Sequence, residues 1–250
     1  MKRTLLIIIT LIALQSTAQD IDNLFVEANK LYNNGCYDSA LILYNQIVDQ
    51  QYESAMLYFN MGNTYYKKHN YPMSIFFYEK AAKLNPNNAD IKQNIAIANL
   101  HISDKIEPMP EVFFKRWWRS LSNALGTDTW AVVTIIILAL LLGCLMFFFK
   151  SNSKALRKTG FYTGLVALIL LIISINITIQ KHNYLNSHDE AIIMTPTITV
   201  KSSPTTNSVD LFVLHEGSKV NILDETSSWL KIKIANGSTG WLPEESMERF

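Results

Sequence analysis

Cysteine is scarce, and neither sign of charge is in excess. Among 250 residues only Cys36 and Cys144 occur, the first in a soluble stretch and the second inside an apolar block. A structural disulfide between them is implausible, and neither count nor spacing suits a metal site. The formal net charge of +1 offers no basic face or stripe for nucleic acid. Histidines fall singly at His69, His101, His182, His188 and His215, none with a ligand-spaced partner. Adjacent His188, Asp189 and Glu190 on a polar tether would not face one ion. Glycine-rich phosphate loops, a Walker motif and a Gly-x-Ser-x-Gly elbow are all missing. These absences predict a chain with no catalytic residue, cofactor or metal, which acts by binding rather than catalysis.

What the sequence does contain is long apolar runs. Residues 1–18 read as a signal peptide: Lys2-Arg3, a ten-residue apolar run from Leu5 to Leu14, then Ser16-Thr17-Ala18. Ten helical residues cover about 15 Å, half a bilayer core, which disfavours an uncleaved anchor. Trp130–Phe149 and Gly160–Ile179 are uncharged and long enough to span. Between them, residues 150–159 carry Lys150, Lys154, Arg157 and Lys158 and no acid. Short basic loops stay in the cytoplasm, so both flanks are expected outside it, in agreement with the signal peptide. Residues 111–125 alternate aromatics with Lys115, Arg116, Trp117, Trp118 and Arg119. They are expected to form an amphipathic helix in the headgroup layer of the lipid bilayer.

Residues 19–103 hold a repeat of period 34. A shift of that length aligns Leu24 with Tyr58, Ala28 with Gly62, Ala40 with Ser74, Tyr44 with Tyr78 and Ile47 with Ala81. Small residues recur where helices must cross closely. The copies, 21–54 and 55–88, resemble the tetratricopeptide repeat family, with 89–102 as a capping helix. The first copy departs at Glu27, a normally apolar position, and at Tyr52, which replaces a closing proline. Two repeats and a cap are few for an independent fold, so support from the membrane-proximal helix or from a partner is expected. The resemblance implies a partner-binding groove lined by Phe25, Asn29, Tyr32, Phe59, Asn63 and Tyr66. The competing reading is that Tyr32 and Tyr66 merely pack between repeats. Asp90 and Asn94 at third-helix groove positions argue against capture of a C-terminal carboxylate.

Beyond the tether at 181–188, residues 189–250 turn to short alternating runs separated by turn residues, which suggests a small barrel. Val200, Ser202-Ser203-Pro204, Leu214-His215-Glu216-Gly217, Trp229, Asn236-Gly237 and Gly240-Trp241-Leu242-Pro243 resemble the bacterial SH3-like family. Some members bind cell-wall peptides and others dock onto neighbouring domains. Trp229 and Trp241 are candidate ligand platforms, but a barrel this small needs aromatic residues in its core, and the core reading is favoured.

The expected fold class is therefore a multidomain membrane protein: an all-α tetratricopeptide-repeat solenoid, a two-helix transmembrane hairpin and an all-β SH3-like barrel. That order of parts resembles the BatE-like repeat proteins of the Bacteroides aerotolerance operon family. The resemblance implies a bacterial inner-membrane protein with both soluble domains in the periplasm and an accessory role in stress tolerance. It also implies partners with von Willebrand A-type domains and a MoxR-type ATPase in the cytoplasm. A scaffold that binds such proteins is the leading expectation, and a peptidoglycan-binding sensor that uses the SH3-like domain is the alternative.

Overall fold

The computed structural model describes residues 20–250, and the signal peptide expected over 1–18 lies outside them. The chain forms two compact units. One joins the residues up to Met109 to His188–Phe250, and the other is Pro110–Ser187 between them.

In the first unit the repeat region is five helices: α1 (residues 20–33), α2 (Tyr37–Asp49), α3 (Ala55–Lys67), α4 (Tyr71–Leu84) and α5 (Ala89–Ala98). Three of them start on side-chain caps. Ser54 Oγ accepts from Leu57 N, Asn70 Oδ1 from Met73 N and Asn88 Oδ1 from Ile91 N, each satisfying a donor the helix cannot. The turn inside each repeat needs a left-handed residue. Gly35 supplies it in the first copy at φ +79°, and His69, 34 residues on, supplies it in the second at φ +59°. The cap ends at Ala98, four residues before its expected limit.

Packing explains the odd residue of the first copy. Leu57 and Met61 are fully buried in the repeat core. Their counterparts Asn23 and Glu27 are exposed, and Glu27 pairs with Lys30 at 3.6 Å. The Glu27 position therefore needs no apolar side chain, because it is exposed.

The same unit contains a seven-stranded antiparallel sheet: β1 (Glu190–Ile193), β2 (Thr197–Lys201), β3 (Asp210–His215), β4 (Lys219–Thr226), β5 (Trp229–Lys233), β6 (Thr239–Pro243) and β7 (Met247–Arg249). Its order is β3-β2-β6-β5-β4-β1-β7. Val200, Leu214, Val220, Leu230, Ile232 and Leu242 fill its core. Gly237, at φ +91°, turns β5 into β6, as the Asn236-Gly237 pair predicts.

The two modules share one body. Along β1, Ala191 and Ile193 enter the sheet core while Ile192, between them, enters the repeat core together with Phe250. The uninterrupted run Ala191-Ile192-Ile193 reflects this burial on both faces. The Phe250 ring meets Phe76 of α4 edge-on at 5.7 Å, and Lys83 Nζ donates to the Phe250 carbonyl at 3.1 Å. Lys219 Nζ lies 2.8 Å from Glu79 of α4 and 3.0 Å from Glu190. Burial alone would lower the Lys219 pKa, but the two carboxylates outweigh it and hold the ammonium well above the usual lysine range. The short repeat array therefore finds support in the SH3-like sheet.

The segment after α5 is part of this junction. Ile102 packs on the repeat core and Ile106 on the sheet core. Between them Asp104 accepts from His215 N and Nδ1, both at 2.7 Å, and from Ser218 Oγ at 2.6 Å. Met109 N donates to the Ala235 carbonyl at 3.1 Å.

In the second unit, α6 (Phe113–Asn123) precedes α7 (Thr127–Lys150) and α8 (Lys154–Asn186). The latter two, of 24 and 33 residues, are long and apolar enough to cross a membrane. Two expectations are corrected here. The basic loop shrinks to residues 151–153, because Lys154–Thr159 already belong to α8, and the polar tether is helical through Asn186. At about 1.5 Å per residue α8 is roughly 50 Å long, more than a bilayer core needs, so its polar ends continue the helix past the apolar stretch. Small residues let the pair approach. A Cβ on Gly160 would stand 3.1 Å from the Cys144 carbonyl, and one on Gly164 3.5 Å from Cys144 Cβ. Thr134 and Ser174 join their hydroxyls across the hairpin.

Candidate functional site: the repeat groove and the outer face of the sheet

Spacing of i, i+4, i+7 puts Phe25, Asn29 and Tyr32 on one face of α1, and Phe59, Asn63 and Tyr66 on the matching face of α3. All six are half-buried, and none is charged. Hydrogen bonds recur here at the repeat period. Tyr44 OH donates to Asn29 Oδ1 at 2.7 Å and Asn60 Nδ2 donates to the same oxygen at 2.8 Å. One repeat on, Tyr78 OH donates to Asn63 Oδ1 at 2.7 Å and Asn94 Nδ2 donates at 3.0 Å. Burial raises both tyrosine pKa values to about 12, so each hydroxyl stays a donor.

Ring contacts repeat as well. Phe25 packs on Tyr44 at 6.2 Å and Phe59 on Tyr78 at 5.8 Å. Tyr32 meets Tyr37, and Tyr66 meets Tyr71, each at 5.6 Å. Tyr32 and Tyr66 thus pack on a neighbouring ring of their own repeat, and both stay partly exposed. At the second copy Tyr66 OH is 3.1 Å from His101 Nε2, and Tyr71 stacks on that imidazole at 4.1 Å. Asn60, Tyr71 and His101 are not among the expected groove residues, whereas Asn94 stands at the third-helix groove position expected for it. The recurrence of Asn60 at Asn94 and of Tyr37 at Tyr71, both 34 apart, was the available signal.

Trp229 and Trp241 are not core residues. On β5 and β6 the buried positions are Leu230, Ile232, Gly240 and Leu242, and the tryptophans alternate with them on the other face, half-buried. Period-2 alternation decides this, because their neighbours fill the core first. Trp229 stands opposite Pro243. Trp241 stands between Lys231 and Lys201, the latter ion-paired with Asp210. The result is a row of indole flanked by ammonium groups on the outer face.

The basic and aromatic residues of α6 lie in the second unit. Lys115, Arg116, Trp117 and Arg119 are exposed, and Trp118 is half-buried with its Nε1 donating to Gln180 Oε1 at 2.8 Å. Among the described residues no group of three or more His, Cys, Asp or Glu side chains could hold a metal ion.

Comparison with known families agrees with this geometry. Residues 55–88 match the model described as the tetratricopeptide repeat, and residues 196–248 match the bacterial SH3 domain. The first match covers α3, α4 and the turns after each; the second runs from just before β2 into β7 and leaves out β1, the strand shared with the repeats. No curated protein matches the chain. The first unit is thus a helical repeat joined to a sheet that matches the bacterial SH3 domain, a pairing that supports protein binding.

Proposed function

We propose that this chain is a membrane-anchored adaptor of the bacterial periplasm, which acts by binding protein partners through its repeat groove and SH3-like domain rather than by catalysis. The observation that carries this reading is the uncharged face of Phe25, Asn29, Tyr32, Phe59, Asn63 and Tyr66, stacked in register over two repeats. Aromatic rings and aligned amides suit an extended, weakly charged protein segment. The shared core supports the topology. Repeats and sheet are separated in sequence by α7 and α8 yet bury side chains together, which supports placing both on one side of the membrane. The basic residues Lys150, Lys154, Arg157 and Lys158 favour the cytoplasm for the opposite side.

The order of parts favours an inner-membrane protein of the Bacteroides aerotolerance type, accessory to a stress-tolerance complex. Its partners would be the von Willebrand A-type membrane proteins of the same operon. A photo-crosslinking residue at Phe59 should capture such proteins in native membranes, whereas one at Ile42, 58% exposed on α2, should not. Equal capture from both positions would defeat the groove reading. The outward Trp229 and Trp241 favour a second reading, cell-wall sensing. In that case Trp229→Ala with Trp241→Ala abolishes co-sedimentation with purified peptidoglycan and leaves Phe59 crosslinking intact.

A further inference from the structure

Helix α6 presents an apolar face to its surroundings. At about 100° per residue, Phe113, Phe114, Trp117, Trp118 and Leu121 fall within an arc of roughly 140°, with Lys115, Arg116 and Arg119 opposite. Phe113, Phe114 and Trp117 are 62%, 75% and 56% exposed, a patch that water disfavours. The helix is also fixed in place. Trp118 Nε1 donates to Gln180 Oε1 at 2.8 Å, and Trp130 Nε1 donates to the Ser122 carbonyl at 2.9 Å. Lys181 Nζ closes the helix end by donating to the carbonyls of Ser122 at 3.1 Å and Leu125 at 2.9 Å. These anchors hold α6 to the end of the hairpin where the apolar stretches of α7 and α8 stop. At that depth a membrane has its headgroups.

The cations are not equivalent. Arg119 Nη1 is 2.5 Å from Glu111 Oε1. Lys115 and Arg116 are exposed, and α6 itself contains no acidic residue. We infer that α6 is a preformed docking site for anionic phospholipid, with Phe113, Phe114 and Trp117 among the acyl chains and Lys115 and Arg116 on headgroup phosphates. The inference rests on the reading of α7 and α8 as a membrane hairpin. Phosphatidylcholine carries the same phosphate with a compensating cation, so the site should favour phosphatidylglycerol over it.

The test uses the full chain reconstituted with mixed phosphatidylcholine and phosphatidylglycerol. Retained lipid is counted by mass spectrometry, and brominated acyl chains are used to quench tryptophan. Each basic side chain near an anionic surface contributes a factor of about five, so Lys115→Gln with Arg116→Gln should cut the phosphatidylglycerol preference roughly 25-fold. The exchange Lys115→Arg with Arg116→Lys should preserve it. Brominated lipid should quench the wild type more than Trp117→Phe. A chain that floats with vesicles but shows no preference, or keeps its preference without the two cations, overturns this inference alone. A chain that does not float with vesicles overturns the hairpin reading as well.

Discussion

Lys219 is where the shared body should be easiest to open. Its ammonium sits between Glu79 of α4 and Glu190 of β1, at 2.8 and 3.0 Å. Lys219→Ala removes the ammonium that lies against both carboxylates at the junction. Breaking a fully buried pair costs about 3–5 kcal/mol, and an exposed pair is worth about 0–1. Here the lysine side chain is 32% exposed and each carboxylate 15%, so the cost should lie between those limits. We expect about 2–3 kcal/mol. For a body of this size that lowers the unfolding midpoint by roughly 5–10 °C. Thermal unfolding of the full chain in detergent reads the shift. Limited proteolysis after Lys105 reports whether the segment between repeats and sheet has come free. Lys219→Met combined with Glu79→Gln should show a coupling of about 1–3 kcal/mol. Because the Lys219 pKa is raised in the folded state, its contribution is complete below the ordinary lysine pKa and is lost only as pH rises through the higher folded value. An unchanged midpoint with Lys105 still protected would mean that this ion triad does not hold the modules together.

Other perturbations probe the repeats and the linker. A Cβ on Gly62 would stand 2.4 Å from Tyr78 Cδ1, so Gly62→Leu should overpack the helix crossing, costing about 1–3 kcal/mol in thermal unfolding. Gly62→Ala should be milder, since Ala28 occupies the equivalent place above Tyr44 in the first copy. The left-handed turn residues should respond with opposite signs: Gly35→Ala destabilises by about 1 kcal/mol, and His69→Gly stabilises by a few tenths, both read as shifts in denaturant midpoint. Burial pushes the Asp104 carboxyl up, but hydrogen bonds from Ser218 and His215 outweigh this and hold its pKa below the usual aspartate value. Its contribution is therefore complete above the ordinary aspartate pKa and is lost as pH falls through the folded value. Asp104→Asn should flatten the acid limb of a stability–pH curve.

Sequence by itself determined the elements whose signals are local or periodic. The 34-residue recurrence marked the helix pairs, because small residues must repeat wherever identical units cross. Apolar length marked α7 and α8, because a run of that length with no charge stands out in composition alone. Asn236-Gly237 marked a hairpin, because its backbone needs φ > 0 there. The amide pairs of the candidate groove follow the same period: Asn29 and Asn63 stand 34 residues apart, and their partners Asn60 and Asn94 obey the same rule. Tertiary structure alone decided which surfaces meet. Period-2 alternation says that two faces of a strand differ, but not which neighbour covers each. Trp229 and Trp241 therefore lie outside a core that their size seemed to require. Ile192 leaves its own sheet for the repeat core, and Asp104 reaches His215 across 111 positions of chain. Such contacts leave no periodic trace, because each is made once, between segments brought together only when the whole body folds.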